Sequence, residues 1–157
     1  MALESTSSSS VKKAVVTVDL GFGDSGKGSM VDALVRHLNA KLVVRYCGGA
    51  QAGHNVVTDD GRHHCFAQLG AGSFVPDCLT LLGRKMVVNP LSMYLEVDHF
   101  LSKANTPIWN RIHVDERCLI TTPYHRAMNR LREMQRGEDL HGSCGMGVGE
   151  TVRLSQV

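Results

Sequence analysis

The chain has 157 residues and a formal net charge of +2, with 43% hydrophobic and 20% charged residues. This composition is typical of a globular protein with one core, and the small charge argues against nucleic acid or an anionic membrane as the main partner. Five cysteines are scattered without a C-x-x-C pair, which indicates reduced thiols in a cytosolic protein and neither a disulfide framework nor a zinc site.

Residues 1–12 begin the chain with a serine-rich stretch that has the features of neither a signal peptide nor a transit peptide. We predict a disordered tail there and expect no transmembrane helix elsewhere. The β-branched run Ala14–Leu20 predicts a buried strand, and Gly21–Gly28 a loop. Apolar residues at helical spacing then predict a helix that ends near Asn39, before a second strand at Leu42–Tyr46.

The rest of the chain alternates short strands with two helices. A turn at residues 59–61 predicts a β-hairpin, and prolines suit the start of both helices. The expected elements are strands Asn55–Thr58, Arg62–Phe66, Cys78–Leu82 and Lys85–Val88, a helix 89–102, strands Ile112–Val114 and Cys118–Ile120, a helix Tyr124–Arg136 ending at Gly137, and a glycine-rich loop Gly142–Gly149. No element is expected after that loop. The fold class predicted is α/β, with a P-loop-like, mainly parallel sheet flanked by helices and a β-hairpin insertion.

The first loop matches the phosphate-binding spacing, because Gly21 is followed after four residues by Gly26 and Lys27. Backbone amides, the helix N-terminus and the lysine would all attract phosphate. The usual hydroxyl for Mg²⁺ is missing, since Gly28 follows the lysine. Asp24 inside such a loop fits either a Mg²⁺ ligand or a base that takes a proton from the substrate. The alternative is that Asp24 only caps the helix.

The second loop, Gly48–His54, places a histidine after small residues and one amide. His54 can serve as a general acid or stabilise charge on a phosphoryl group. A lone loop histidine is more often an ordinary surface residue, so the residue type by itself leaves both interpretations open. His63 and His64 in the hairpin are expected to face solvent, because no third ligand is spaced for a metal.

Together the motifs resemble those of the adenylosuccinate synthetase family. The family patterns W-G-D-E-G-K-G-K and V-R-Y-Q-G-G-x-N-A-G-H-T correspond to Phe22–Ser29 and Val44–Asn55. Further similar segments are Leu69–Ser73, Leu82–Pro90, Pro123–Ala127, Arg136–Gly137 and Gly142–Gly149. The resemblance implies that residues 13–157 are the N-terminal part, and an incomplete domain, of a nucleotide-binding synthetase. It also implies a cytoplasmic enzyme of purine biosynthesis that is a homodimer when full length.

The resemblance implies a ligase in which GTP phosphorylates the 6-oxygen of IMP and L-aspartate then displaces phosphate. Asp24 would be the base and His54 the acid. Mg²⁺ would bind Asp24 and the Gly53 carbonyl. The implied GTP-binding residues are Gly23, Asp24, Ser25, Gly26, Lys27, Gly28, Ser29, Gly53, His54 and Asn55. The implied IMP-binding residues are Asp24, Ser25, Gly26, Lys27, Gln51, Ala52, Gly53, His54, Ser143 and Cys144.

Several positions depart from the family pattern. Ser25, Gln51 and Asn55 replace glutamate, asparagine and threonine, and the loop 142–150 lacks an arginine and a threonine of the family. These changes leave open a related synthetase that uses another purine nucleotide, such as a guanine nucleotide. A non-catalytic nucleotide- or phosphate-binding module is a second alternative, and Gly28 argues against an ordinary P-loop NTPase. We expect the chain, as a fragment, to have little synthetase activity by itself.

Overall fold

The computed structural model describes residues 13–104, 106–139 and 141–156, so the tail predicted at 1–12 lies outside the described residues. The elements are α1 (Lys27–Leu38), β1 (Leu42–Gly49), β2 (His54–Val57), β3 (His63–Phe66), β4 (Leu79–Val88), α2 (Pro90–Ala104), β5 (Ile112–Val114), β6 (Leu119–Ile120), α3 (Pro123–Arg136) and α4 (Val148–Leu154), with short 3₁₀ turns at Trp109–Arg111 and Gly137–Asp139. None of the helices in these ranges has the length and hydropathy required to cross a bilayer.

The main sheet is built around β4, and all of its pairings are parallel. β1 pairs with β4 along its length, β5 pairs with Thr80–Leu82, and β6 pairs with the last two residues of β4. β2 and β3 form a separate antiparallel hairpin, with His54 opposite Phe66. The predicted α/β class, with its parallel sheet and hairpin, is therefore confirmed.

The core lies between β4, the hairpin and α2. Helix α2 buries Met93, Val97, Phe100 and Ala104, which recur at the three- and four-residue spacing of one helical face. Phe66 from the hairpin and Leu82 and Met86 from β4 complete the same cluster and are fully buried. This core holds the hairpin, and therefore His54 at its start, against the sheet.

The predicted buried strand Ala14–Leu20 is wrong. Residues 13–20 form no strand, and Val16 and Leu20 are 81% and 97% exposed. A β-branched run favours a strand only where neighbouring strands accept its backbone hydrogen bonds and other layers cover its side chains. No described strand pairs with this segment.

Two other predictions of element boundaries are wrong. The sequence predicts separate strands at Cys78–Leu82 and Lys85–Val88, but one strand, β4, continues through Gly83. The glycine marks a register irregularity instead of a break: Arg45 pairs with Leu82 and Cys47 with Lys85, so Gly83 and Arg84 of β4 lie opposite a single residue of β1. The structure also has a helix, α4, which begins at Val148 inside the predicted loop 142–149, and its N-cap Gly147 is in the left-handed conformation (φ 78°).

His64 is buried, contrary to the expectation that it faces solvent, whereas His63 is exposed. The hairpin alternates its faces, so only one of two adjacent histidines can point outward. Neither ring nitrogen of His64 has a hydrogen-bond partner among the described residues. The carboxylate of Glu96, which lies 3.9 Å away, instead accepts hydrogen bonds of 2.8–3.1 Å from the backbone N–H groups of Ala67, Gln68 and Leu69.

We expect Glu96→Gln to lower the free energy of unfolding by about 1.5 kcal/mol, because the new amide group would face a buried backbone N–H group. Equilibrium urea denaturation measures this loss. Glu133→Gln is the matched control. The carboxylate of Glu133 also accepts hydrogen bonds from three backbone N–H groups, those of residues 141–143. It is more exposed than Glu96, so we expect a smaller decrease in the free energy of unfolding. Equal losses in the two variants would contradict the prediction.

Candidate functional site

The two predicted loops meet at one cleft. Its lining consists of residues 24–29 from the first loop and the start of α1, together with Gly53, His54 and Asn55 from the second loop and β2. The cleft encloses about 120 Å³, well below the roughly 300–1,000 Å³ of a typical small-molecule site. The space inside the cleft is therefore large enough for phosphate groups.

The first loop owes its shape to three residues with positive φ. Gly23 and Gly26 have φ of 106° and 75°, and no atom of a described residue lies within 4 Å of the position where a Cβ would stand. Conformation, and not lack of space, therefore requires glycine there. Asp24 itself has φ 51°, a region that aspartate and asparagine tolerate better than most residues. Helix α1 is capped by Gly26 without a side-chain hydrogen bond, so the structure does not support the alternative that Asp24 is a helix cap.

Gly28 has a packing role that explains the missing hydroxyl. A Cβ at this position would lie 2.8 Å from the backbone carbon of His54 and 2.9 Å from the carbonyl oxygen of Asn55. Serine or threonine would therefore clash with β2. The neighbouring Ser29 Oγ donates a 3.1 Å hydrogen bond to the Asn55 carbonyl, which joins the start of α1 to the start of β2. The close contact of these two elements brings Lys27 and His54 to the same cleft.

His54 is half-buried, and its Nδ1 lies 3.1 Å from the Phe66 carbonyl oxygen. A carbonyl only accepts hydrogen bonds, so Nδ1 carries the proton when this bond forms. Nε2 makes no hydrogen bond to a described residue, and it can donate only from the imidazolium form. Burial, followed by the positive charge of Arg45, lowers the pKa of His54. The anionic phosphates of a ligand would favour the imidazolium form again.

We expect His54 to make stability depend on pH. Because its pKa is lower in the folded state, the unfolded chain binds a proton first as pH falls below about 6.5. The free energy of unfolding should therefore decrease between pH 7.5 and 5.5, and it should decrease less in His54→Gln. Urea denaturation at each pH measures both slopes, and identical slopes would contradict the prediction.

Asp19 is a site residue that the sequence motifs did not reveal. Its carboxylate forms an ion pair with the ammonium group of Lys27 and accepts a 2.9 Å hydrogen bond from the backbone N–H of Gly21. The bond to Lys27 is the main cause that lowers the pKa of Asp19 to about 2. The only available signal was a carboxylate at the end of the apolar run, eight residues before the lysine.

The other predicted positions lie outside the cleft. Gly23 belongs to the first loop but does not line the cleft. Gln51 and Ala52 belong to the connection between β1 and β2. Ser143 and Cys144 lie in the loop before α4, where Ser143 Oγ is 3.0 Å from the Asn129 side chain on α3. The described structure thus brings together the predicted phosphate-binding and catalytic residues and does not bring the predicted IMP-binding loop to them.

The donor set fits Mg²⁺ only in combination with a nucleotide. No group of three or more histidine, cysteine, aspartate or glutamate side chains could hold a metal within residues 13–104, 106–139 and 141–156. Asp24 and Gly53, however, line the same cleft. Mg²⁺ usually takes one or two carboxylates and completes its shell with phosphate oxygens and water, so one carboxylate and one carbonyl suffice.

Comparison with known proteins agrees with the motifs. The sequence profile of the adenylosuccinate synthetase family matches residues 16–155. The adenylosuccinate synthetase of Synechococcus sp. (strain CC9902) is 38% identical over 137 residues, and that of Streptococcus sanguinis (strain SK36) is 33% identical over 136 residues. Each alignment covers 87% of this chain and 30% of the relative. The chain therefore spans about 30% of the length of these curated relatives.

Two solved structures share the fold. Fully ligated adenylosuccinate synthetase from Plasmodium falciparum aligns with a TM-score of 0.74 at 22% identity, over 85% of this chain and 31% of that chain. The succinoaminodeoxyadenylate synthetase of cyanophage S-2L, solved with dGMP and with dATP as an energy donor, aligns with a TM-score of 0.62 at 17% identity, over 86% of this chain and 36% of that chain.

Proposed function

Because the chain belongs to the adenylosuccinate synthetase family, we propose that it provides the phosphate-binding and acid–base part of a GTP-dependent ligase. The whole protein joins L-aspartate to IMP through a 6-phosphoryl-IMP intermediate. The observation that supports this proposal best is the single cleft that Asp24, Lys27 and His54 share. A carboxylate, an ammonium group and an imidazole at one phosphate-sized cleft suit proton removal coupled to phosphoryl transfer.

In this proposal Asp24 takes the proton from N1 of IMP. The electron pair released to the 6-oxygen attacks the γ-phosphorus of GTP, and GDP leaves. The amine of L-aspartate then attacks C6, loses a proton and expels the phosphate that carries the former 6-oxygen. His54, as the imidazolium, donates a hydrogen bond from Nε2 to that oxygen while its Nδ1 stays bonded to the Phe66 carbonyl.

Lys27 and the backbone amides of residues 23–29 bind the GTP phosphates. Asp24 and the Gly53 carbonyl bind Mg²⁺, which neutralises charge on the γ-phosphate. Gln51 and Ala52 contact IMP, together with Ser143 and Cys144 once the loop before α4 approaches the ligand. Ser25 and Asn55 contact nucleotide from the rim of the cleft. The full-length protein is a cytoplasmic homodimer in this proposal.

A guanine nucleotide is the second candidate for the acceptor. The departures at Ser25, Gln51 and Asn55 fall on the proposed nucleotide contacts and not on the catalytic pair. One structural relative, the cyanophage synthetase, was solved with dGMP. The higher sequence identity to adenylosuccinate synthetases, 33% and 38% in the two named above, favours IMP.

The proposal is tested by tracing the 6-oxygen of the purine into released phosphate with an isotope label. The natural protein at full length is incubated with GTP, L-aspartate and IMP or GMP labelled with ¹⁸O at the 6-position. The proposal expects the label in released phosphate with IMP, whereas label released only from GMP would favour the second candidate. Absence of labelled phosphate with both acceptors, while GTP still binds, would favour a non-catalytic binding module. A parallel assay of residues 1–157 alone should show little or no turnover.

A further inference from the structure

Asp19 changes the charge of the cleft that binds nucleotide. The lining contributes one carboxylate, Asp24, and one ammonium group, Lys27. Asp19 adds a second carboxylate directly on that ammonium group, with only 14% of its side chain exposed. Asp19 therefore offsets the positive charge that Lys27 would otherwise present to phosphates.

A carboxylate at a phosphate-binding site discriminates between nucleotide species by their charge. At neutral pH a free nucleoside triphosphate carries about twice the negative charge of its Mg²⁺ complex, and Coulomb repulsion grows in proportion to that charge. The same carboxylate therefore weakens binding of the free nucleotide more than binding of the metal complex. Lys27 can still serve the phosphates, because an ammonium group has three donors and Asp19 occupies one of them.

Resting on the proposed function, we propose that Asp19 makes this site selective for metal-bound nucleotide over free nucleotide. Its carboxylate neutralises Lys27 until the metal complex supplies the positive charge that the phosphates require. In this role Asp19 determines specificity without touching the reacting atoms. It lies before the loop residues that match the family's phosphate-binding pattern, which begin at Phe22.

Asp19→Asn tests the proposal in the 157-residue chain, with GTP as the probe. Affinity is measured by calorimetry in excess Mg²⁺ and again in excess EDTA. We expect the variant to bind free GTP about tenfold more tightly and Mg²⁺–GTP no more than about threefold more tightly, so that the preference for the metal complex falls. Thermal unfolding without ligand verifies that the variant is folded.

Asp115→Asn is the matched control. Asp115 also pairs with a cation further along the chain, at 2.7 Å from Arg117, and it also accepts a backbone N–H two residues ahead. It lies outside the cleft, so its substitution should leave the affinities for free GTP and for Mg²⁺–GTP unchanged.

If Asp19→Asn prefers Mg²⁺–GTP over free GTP as strongly as the wild type does, the inference is overturned and the proposed function stays intact. Weaker binding of Mg²⁺–GTP would overturn it in favour of a positioning role for Asp19. Failure of every variant to bind GTP would overturn the nucleotide site itself.

Discussion

Gly28→Ala is expected to destabilise the chain by about 2 kcal/mol and to disrupt the cleft. The added Cβ would lie 2.8 Å from the backbone carbon of His54 and 2.9 Å from the Asn55 carbonyl oxygen, and backbone atoms cannot rotate away. Helix α1 would have to move away from β2, which strains the hydrogen bond from Ser29 to Asn55. Overpacking costs about 1–3 kcal/mol or more, and the better helix propensity of alanine offsets about 1 kcal/mol. Urea denaturation and GTP binding measure the two effects.

Gly149→Ala is the matched control for this prediction. Gly149 is the second residue of α4, as Gly28 is of α1, but within the described part of the chain no atom lies within 4 Å of the position that its Cβ would occupy. Only the higher helix propensity of alanine should act at Gly149, and the free energy of unfolding should rise by up to about 1 kcal/mol. Similar effects of both substitutions would show that the approach of α1 to β2 is not tight.

Asp24→Asn is expected to lower phosphoryl transfer about 1,000-fold, because an amide cannot take the proton from N1. Asparagine has the same shape and also tolerates the left-handed conformation at φ 51°, so the loop should keep its geometry. Affinity for GTP should change by less than about tenfold, since Lys27 and the backbone amides remain. Formation of GDP that depends on IMP, measured with saturating Mg²⁺ in the natural protein at full length, gives the rate.

Asp98→Asn, at an exposed position of α2, is the control for the loss of one carboxylate and should keep full activity. If Asp24→Asn keeps more than about a tenth of the wild-type rate, Asp24 is not the base. A protein that only binds nucleotide would have no activity to lose, and both variants would then bind GTP without turnover.

The elements that follow local rules were predictable. Proline at the first turn located α2 and α3, Gly137 marked the end of α3, and the Asp-Asp-Gly turn located the hairpin of β2 and β3. The same local rules failed for Ala14–Leu20, whose composition favours a strand that no described neighbour pairs. They also failed at Gly83, where a glycine indicates a break but β4 continues with one extra residue relative to β1.

The candidate site divides in the same way. Residue types and their spacing were enough to identify the family and the two loops that carry Asp24, Lys27 and His54, because both are local properties of the chain. Three features needed the folded chain: Gly28 must be small, Nδ1 of His54 is bonded to a carbonyl, and Asp19 neutralises Lys27. These features depend on contacts between residues 8 to 26 positions apart, and only packing of the whole domain brings such residues together.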